Sequence, residues 1–144
     1  MINEHDLEAF DYYEAVEEFR KKMEKPIGKD LTYTDPNDLD FGFKLITEEY
    51  KEISDEMIKA HYDILKQGYI SKEVRKNLLK ELCDLVYVVM DMAATYKLPI
   101  NQAFKRVHQS NLSKLGEDGK PVYREDGKVL KGPNYKPPVL DDIL

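Results

Sequence analysis

Residues 78–94 are apolar on nearly every face of a helix, and no other feature constrains the fold as strongly. Within residues 82–90 (LCDLVYVVM) the only charge is Asp84. A helix of this kind must be covered all round. A monomer of 144 residues with about four helices would struggle to cover it, so the chain is expected to be an all-α helical bundle of about four helices completed by oligomerisation. An ionised Asp84 in that setting is costly unless a cation or a proton compensates it.

The other helices are read from periodicity and stop signals. Ala9, Tyr12, Val16, Phe19 and Met23 fall at steps of three and four, which predicts a helix over residues 7–25 stopped by Pro26 and Gly28. Residues 26–40 read as a loop. A long helix over residues 40–67 carries the stripe Ile46, Tyr50, Ile53, Met57, Ala60 and Ile64 and ends at Gly68. Ser71 is the N-cap of the apolar helix, and Pro99 opens a short fourth helix bearing Ile100, Phe104 and Val107. After Asn111 glycine and proline become frequent, and the alternation around Asp126-Gly127 predicts a small hairpin. The chain is therefore taken as a single domain over 1–144, with a helical core at 1–111 and a short C-terminal β-like arm or lid at 112–144. Tyr12, Tyr50, Tyr87 and Tyr96 lie on helix seams and are expected in the core or an interface, and Cys83 is expected as a small core residue beside Asp84.

The chemistry lies in two acidic pairs. Glu49 and Glu52 are three apart on the long helix, as are Glu81 and Asp84 on the apolar one, and residues 53–80 separate them. An i,i+3 pair projects from one helix face. Projected around its helix, Glu49 sits at the edge of the apolar stripe, Glu52 further round and Glu48 on the polar flank. Two such pairs sharing a buried space point to a hard divalent cation, and a cation held by carboxylates points to phosphate chemistry. The residues three before His5, His61 and His108 are Ile2, Ile58 and Lys105, so the Glu-x-x-His of di-iron bundles is absent. All-oxygen ligands favour Mg²⁺, with Mn²⁺ as the substitute.

A formal net charge of −6 argues against nucleic acid as the main partner. No uncharged apolar run reaches the length of a membrane span. The N-terminal residues lack a secretory pattern, and the single cysteine fits a reducing compartment, so a cytoplasmic location is expected.

Glu48-Glu49-Tyr50-Lys51-Glu52 with Glu81-Leu82-Cys83-Asp84 resembles the EExxE…ExxD signature of the MazG-like all-α nucleoside triphosphate pyrophosphohydrolases. The similarity spans about residues 7–137. HQSNLSK (108–114) and LKGPNYKPP (130–138) resemble the small phosphoribosyl-ATP pyrophosphohydrolase-like branch of phages and bacteria. The separation of the two acidic motifs is long for the family, so an extended loop is expected near Gly68. The resemblance implies that Glu49, Glu52, Glu81 and Asp84 bind Mg²⁺. It also implies that Glu48 orients or deprotonates the attacking water, or holds a further metal. The implied reaction splits a nucleoside triphosphate between its α and β phosphates, giving a monophosphate and pyrophosphate.

Lys114 is expected on a phosphate and Asn111 on sugar or base. His108 stands either in the helix core or near the base. Lys131 and Tyr135, around Gly132-Pro133, offer a cation and a hydroxyl to phosphate in a lid, or form a strap over the bundle. One acidic set per chain fits a homotetramer built as a dimer of dimers, within the host cytoplasm if phage-encoded. The expected substrate is a dNTP. Hydrolysis of phosphoribosyl-ATP in histidine biosynthesis is the first alternative, and a non-catalytic nucleotide- or protein-binding helical module is the second.

Overall fold

The computed structural model describes residues 10–144. Among them are four α-helices and no strand: α1 (Tyr12–Lys22), α2 (Pro36–Gln67), α3 (Lys72–Thr95) and α4 (Ile100–Leu112). Single 3₁₀ turns lie at Leu31–Tyr33 and Asp141–Ile143. The expected all-α class is the one observed. The chain divides into two compact units, Met1–Lys97 and Leu98–Leu144.

In the first unit Asp11 caps α1 by accepting the Glu14 N–H at 3.0 Å. Residues 7–9 of the predicted first helix, Ala9 among them, lie outside the described residues. α1 ends earlier than expected, because Glu24 adopts a left-handed φ of 54° and the Lys25 N–H closes the turn onto the Arg20 carbonyl at 2.9 Å. α2 begins at Pro36, inside the predicted loop. Asp35 accepts the Asn37 N–H at 2.7 Å, and Pro36 takes the first helical position, where a missing N–H costs nothing. Gly68, at φ 80°, closes α2, and Ser71 caps α3 by accepting the Val74 N–H at 3.3 Å. Only residues 68–71 separate the two helices. The extended loop expected near Gly68 is therefore absent, and residues 53–67 and 72–80 between the acidic motifs are helical. The carbonyls of Ala94 and Thr95 at the end of α3 accept the N–H groups of Gly28 and Lys29 at 3.3 and 2.7 Å. The loop after α1 thus satisfies carbonyls that a helix end leaves open.

α2 and α3 pack as an antiparallel pair, and α1 lies against α3. The buried apolar residues of this unit are Val16, Ala60, Val74, Ala93, Ala94 and Tyr96. Arg20 is buried beside them, with its Nη1 2.7 Å from Asp91 Oδ1 and its Nε and Nη2 donating to the Pro26 carbonyl. α2 turns Glu56 and Ala60 inward, whereas Tyr50, Met57 and Ile64 of its predicted stripe are exposed. On α3, Leu79, Leu82, Val86, Tyr87 and Val89 are exposed, as is Cys83, which was expected in the core. Of the four seam tyrosines only Tyr96 is buried. The described residues do not supply the cover that α3 needs on all sides.

In the second unit Pro99 caps α4 one residue before its first turn. The arm forms the predicted hairpin in minimal form. Gly127 (φ 84°) donates to the Arg124 carbonyl at 2.9 Å, Arg124 to Lys128 at 2.8 Å and Leu130 to Val122 at 2.7 Å. Tyr123 and Val129 make a single antiparallel bridge. This is a type I turn closed by a glycine bulge.

Candidate metal centre

The antiparallel pairing of α2 and α3 brings the middle of one helix against the middle of the other. Glu49, Glu52 and Glu81 each place an oxygen within 4.8 Å of the other two. Glu81 is 9% exposed, Glu49 is half-buried and Glu52 is exposed. Glu49 Oε2 is buried with no hydrogen-bond partner. Burial first, then the charges of Asp84 and Glu81, push the Glu49 carboxyl above the ordinary glutamate range, against an opposing pull from Lys80. A hydrogen bond with Glu81, then the charges of Glu81 and Glu49, does the same to Glu52.

Such acids repel one another and leave an oxygen without a partner, which is the condition a hard cation relieves. Two oxygens each about 2.1 Å from a Mg²⁺ ion stand at most about 4.2 Å apart. The observed cluster needs only small side-chain rotations to reach that spacing, so the donor set fits the ion.

Asp84 does not join the three-glutamate cluster. It lies one turn along α3 and pairs with Lys80, whose Nζ is 2.8 Å from Asp84 Oδ2. Glu48 is exposed on the outer flank, with Lys44 Nζ 3.9 Å away. Lys80 and Glu56 were not singled out from the sequence. Glu56 lies one turn beyond Glu52, is buried and pairs with Lys59 through Oε1, while its Oε2 is buried without a partner. Their spacing carried the signal, since Glu56 is four residues after Glu52 and Lys80 four before Asp84.

One turn from the acids, a cavity of about 280 Å³ opens among the end of α1, the first turns of α2 and the last turns of α3. Phe41, Leu45, Val88 and Met92 form apolar walls, and Lys29, Asp38 and Asp91 supply polar groups. Lys29 and Asp38 pair at 2.6 Å.

The remaining candidates belong to the second unit. Gly132 donates its N–H to the Lys114 carbonyl at 2.9 Å, which joins the 108–114 motif to the 130–138 motif. A Cβ on Gly132 would stand 2.2 Å from the Leu115 carbonyl oxygen, so only glycine permits this approach. Lys131 Nζ lies 4.5 Å from the centre of the Tyr135 ring. Lys114 and Tyr135 are half-buried, and Lys131, Asn111 and His108 are exposed. The exposure of His108 removes its core reading.

A family model described as phosphoribosyl-ATP pyrophosphohydrolase matches residues 16–111. That stretch contains both acidic pairs and runs from α1 into α4. No curated protein matches the chain. Among the described residues no helix is long and apolar enough to cross a membrane.

Proposed function

The chain belongs to the phosphoribosyl-ATP pyrophosphohydrolase family and is thereby a pyrophosphohydrolase acting on an acid anhydride; from this we propose that it hydrolyses a nucleoside triphosphate, a dNTP, between the α and β phosphates with Mg²⁺. The observation that carries the reading is the convergence of Glu49, Glu52 and Glu81 with an orphaned Glu49 oxygen among them. In this reading Glu49, Glu52, Glu81 and Asp84 hold Mg²⁺. When bound, the ion supplies neutralisation of phosphate charge and a lowered pKa for bound water. Glu48, exposed at the flank, would orient the attacking water and accept its proton. The neighbouring cavity takes the base. Its volume of about 280 Å³ is at the small end of ligand pockets, enough for a base but not for a whole nucleotide. Within the second unit, Lys114, Lys131 and Tyr135 are assigned to phosphate, and Asn111 and His108 to sugar or base.

The assembly is a homotetramer, a dimer of dimers, working in the cytoplasm. Exposed Leu79, Leu82, Val86 and Tyr87 on α3 support burial against further copies. The family match crosses from one compact unit into the other, which supports treating 1–144 as one functional domain.

The reading is tested by pyrophosphate release from the four dNTPs with Mg²⁺. Activity that EDTA abolishes, and that Glu49→Gln and Asp84→Asn lose while keeping wild-type helicity, is the expected result. Full activity in either variant refutes the metal site, and a silent wild-type protein that still binds nucleotide leaves a binding module. The description of the matched family favours a second substrate, phosphoribosyl-ATP. A kcat/KM for it well above that for every dNTP places the chain in histidine biosynthesis instead.

A further inference from the structure

Lys80 reaches both acids of the α3 pair. Its Nζ stands 2.8 Å from Asp84 Oδ2 and 3.1 and 3.2 Å from the two oxygens of Glu81. It contacts Glu81, which belongs to the three-glutamate cluster, and Asp84, which does not. The Lys80 side chain is 63% exposed, so little burial is lost when it withdraws. Taking the metal site proposed above as premise, we propose that Lys80 is a resident counter-ion that occupies Asp84 and Glu81 until a divalent cation replaces it.

The ammonium is a compact charge on a flexible stem, which suits a counter-ion that must leave. It offers one positive charge to a space shared by four carboxylates, and Glu49 Oε2 remains without a partner while it is in place. Asp84 can add its oxygen to the other three only by giving up its contact with Lys80. Metal binding is therefore an exchange of cations, and Lys80 weakens it by the worth of the contacts that are lost. For exposed pairs of this kind the effect is about twofold to fivefold in Kd.

The experiment is calorimetric titration of Mn²⁺ into the full chain without nucleotide, for wild type, Lys80→Met and Lys80→Arg, with circular dichroism confirming equal helicity. Lys80→Met is expected to bind Mn²⁺ about twofold to fivefold more tightly than wild type, and Lys80→Arg to keep the wild-type Kd. The metal-free Lys80→Met protein is expected to melt below wild type and to gain more from added Mn²⁺, since its acids have lost their only contacting ammonium among the described residues. Equal or weaker Mn²⁺ binding by Lys80→Met, with clear binding by wild type, overturns the role of Lys80 alone. A flat wild-type titration overturns the metal site and this inference together.

Discussion

Arg20→Met tests what holds α3, which carries Glu81 and Asp84, in place. Arg20 is 5% exposed, and its guanidinium makes three contacts: Asp91 Oδ1 at 2.7 Å, and the Pro26 carbonyl at 2.9 and 2.6 Å. Asp91 lies seven residues after Asp84 on α3, and its side chain is 15% exposed. Removing the cation strands a largely buried carboxylate and a carbonyl together. Breaking a buried pair by removing one partner costs about 3–5 kcal/mol. The slight exposure of Asp91 allows some hydration, which puts the expected loss near 3 kcal/mol. Against a total stability of about 5–15 kcal/mol that is a large share. At about 3 °C per kcal/mol for a chain of this size, the melting temperature falls by about 10 °C. Urea titration followed by circular dichroism measures it, at fixed protein concentration because the stability of an assembly depends on concentration. Arg20→Met with Asp91→Leu leaves no stranded charge and should lose well under the sum of the two single variants. A loss under about 1 kcal/mol for Arg20→Met, or strict additivity in the pair, would refute the assignment of α3's anchor to this ion pair.

Three further outcomes follow from the geometry. Gly132→Ala places its Cβ 2.2 Å from a backbone oxygen that cannot rotate away, so the arm should loosen at a cost of about 1–3 kcal/mol; faster limited proteolysis within residues 113–144 and a raised KM are the readouts, and wild-type values for both would sink the lid. Lys97 sits at φ 49° after α3, and Lys97→Gly relieves about 1–2 kcal/mol of left-handed strain while adding about 0.5–1 of unfolded-chain freedom, for a net gain of about 0.5 kcal/mol in thermal melts; a lower melting temperature contradicts it. Asp63 accepts the Ser71 N–H at 2.8 Å, and hydrogen bonds from Ser71 hold its carboxyl below the ordinary aspartate range. Because its folded pKa is depressed, its stabilisation is complete above the unfolded value of about 3.9 and is lost as pH falls through the folded one. Asp63→Asn should therefore flatten the acid limb of stability below about pH 4, and an unchanged limb rules Asp63 out.

Local rules account for what was legible. Ser71 and Gly68 bound their helices because each satisfies, in sequence-local terms, backbone groups that a helix end leaves open. The hairpin at Asp126-Gly127 is legible for the same reason. The helix start at Pro36 is not legible because Asp-Pro serves both as a turn and as a helix start, and only the Asn37 N–H on Asp35 separates the two. The Arg20–Asp91 pair spans 71 residues, and no periodicity within one helix announces such a partner. Lys80 is not legible in the sequence because an exposed lysine beside acids is common, and its double contact depends on how α3 presents Glu81 and Asp84 together.

The distribution of buried residues on α2 bears on function. Its apolar stripe marks it as a helix, but the residues it turns deepest against the rest of the chain are Glu56 and Ala60, with Glu49 half-buried on the same side. A helix that turns Glu56 inward beside Ala60, half-buries Glu49 and leaves Tyr50, Met57 and Ile64 exposed departs from the usual division between an apolar inner and a polar outer face. Burying carboxylates opposes folding, and leaving those apolar side chains wet forgoes burial that would offset the cost. Both deficits close under one condition: cations occupy the inner face while other copies of the chain cover the outer one. Metal binding and assembly then support each other, since either one stabilises the helix pair on which the other depends. Adding Mg²⁺ or Mn²⁺ should accordingly shift the chain toward its larger assembly in sedimentation velocity at low micromolar concentration. A distribution that ignores both ions while calorimetry shows them bound would separate the two faces of α2 and leave the outer one without a partner of this kind.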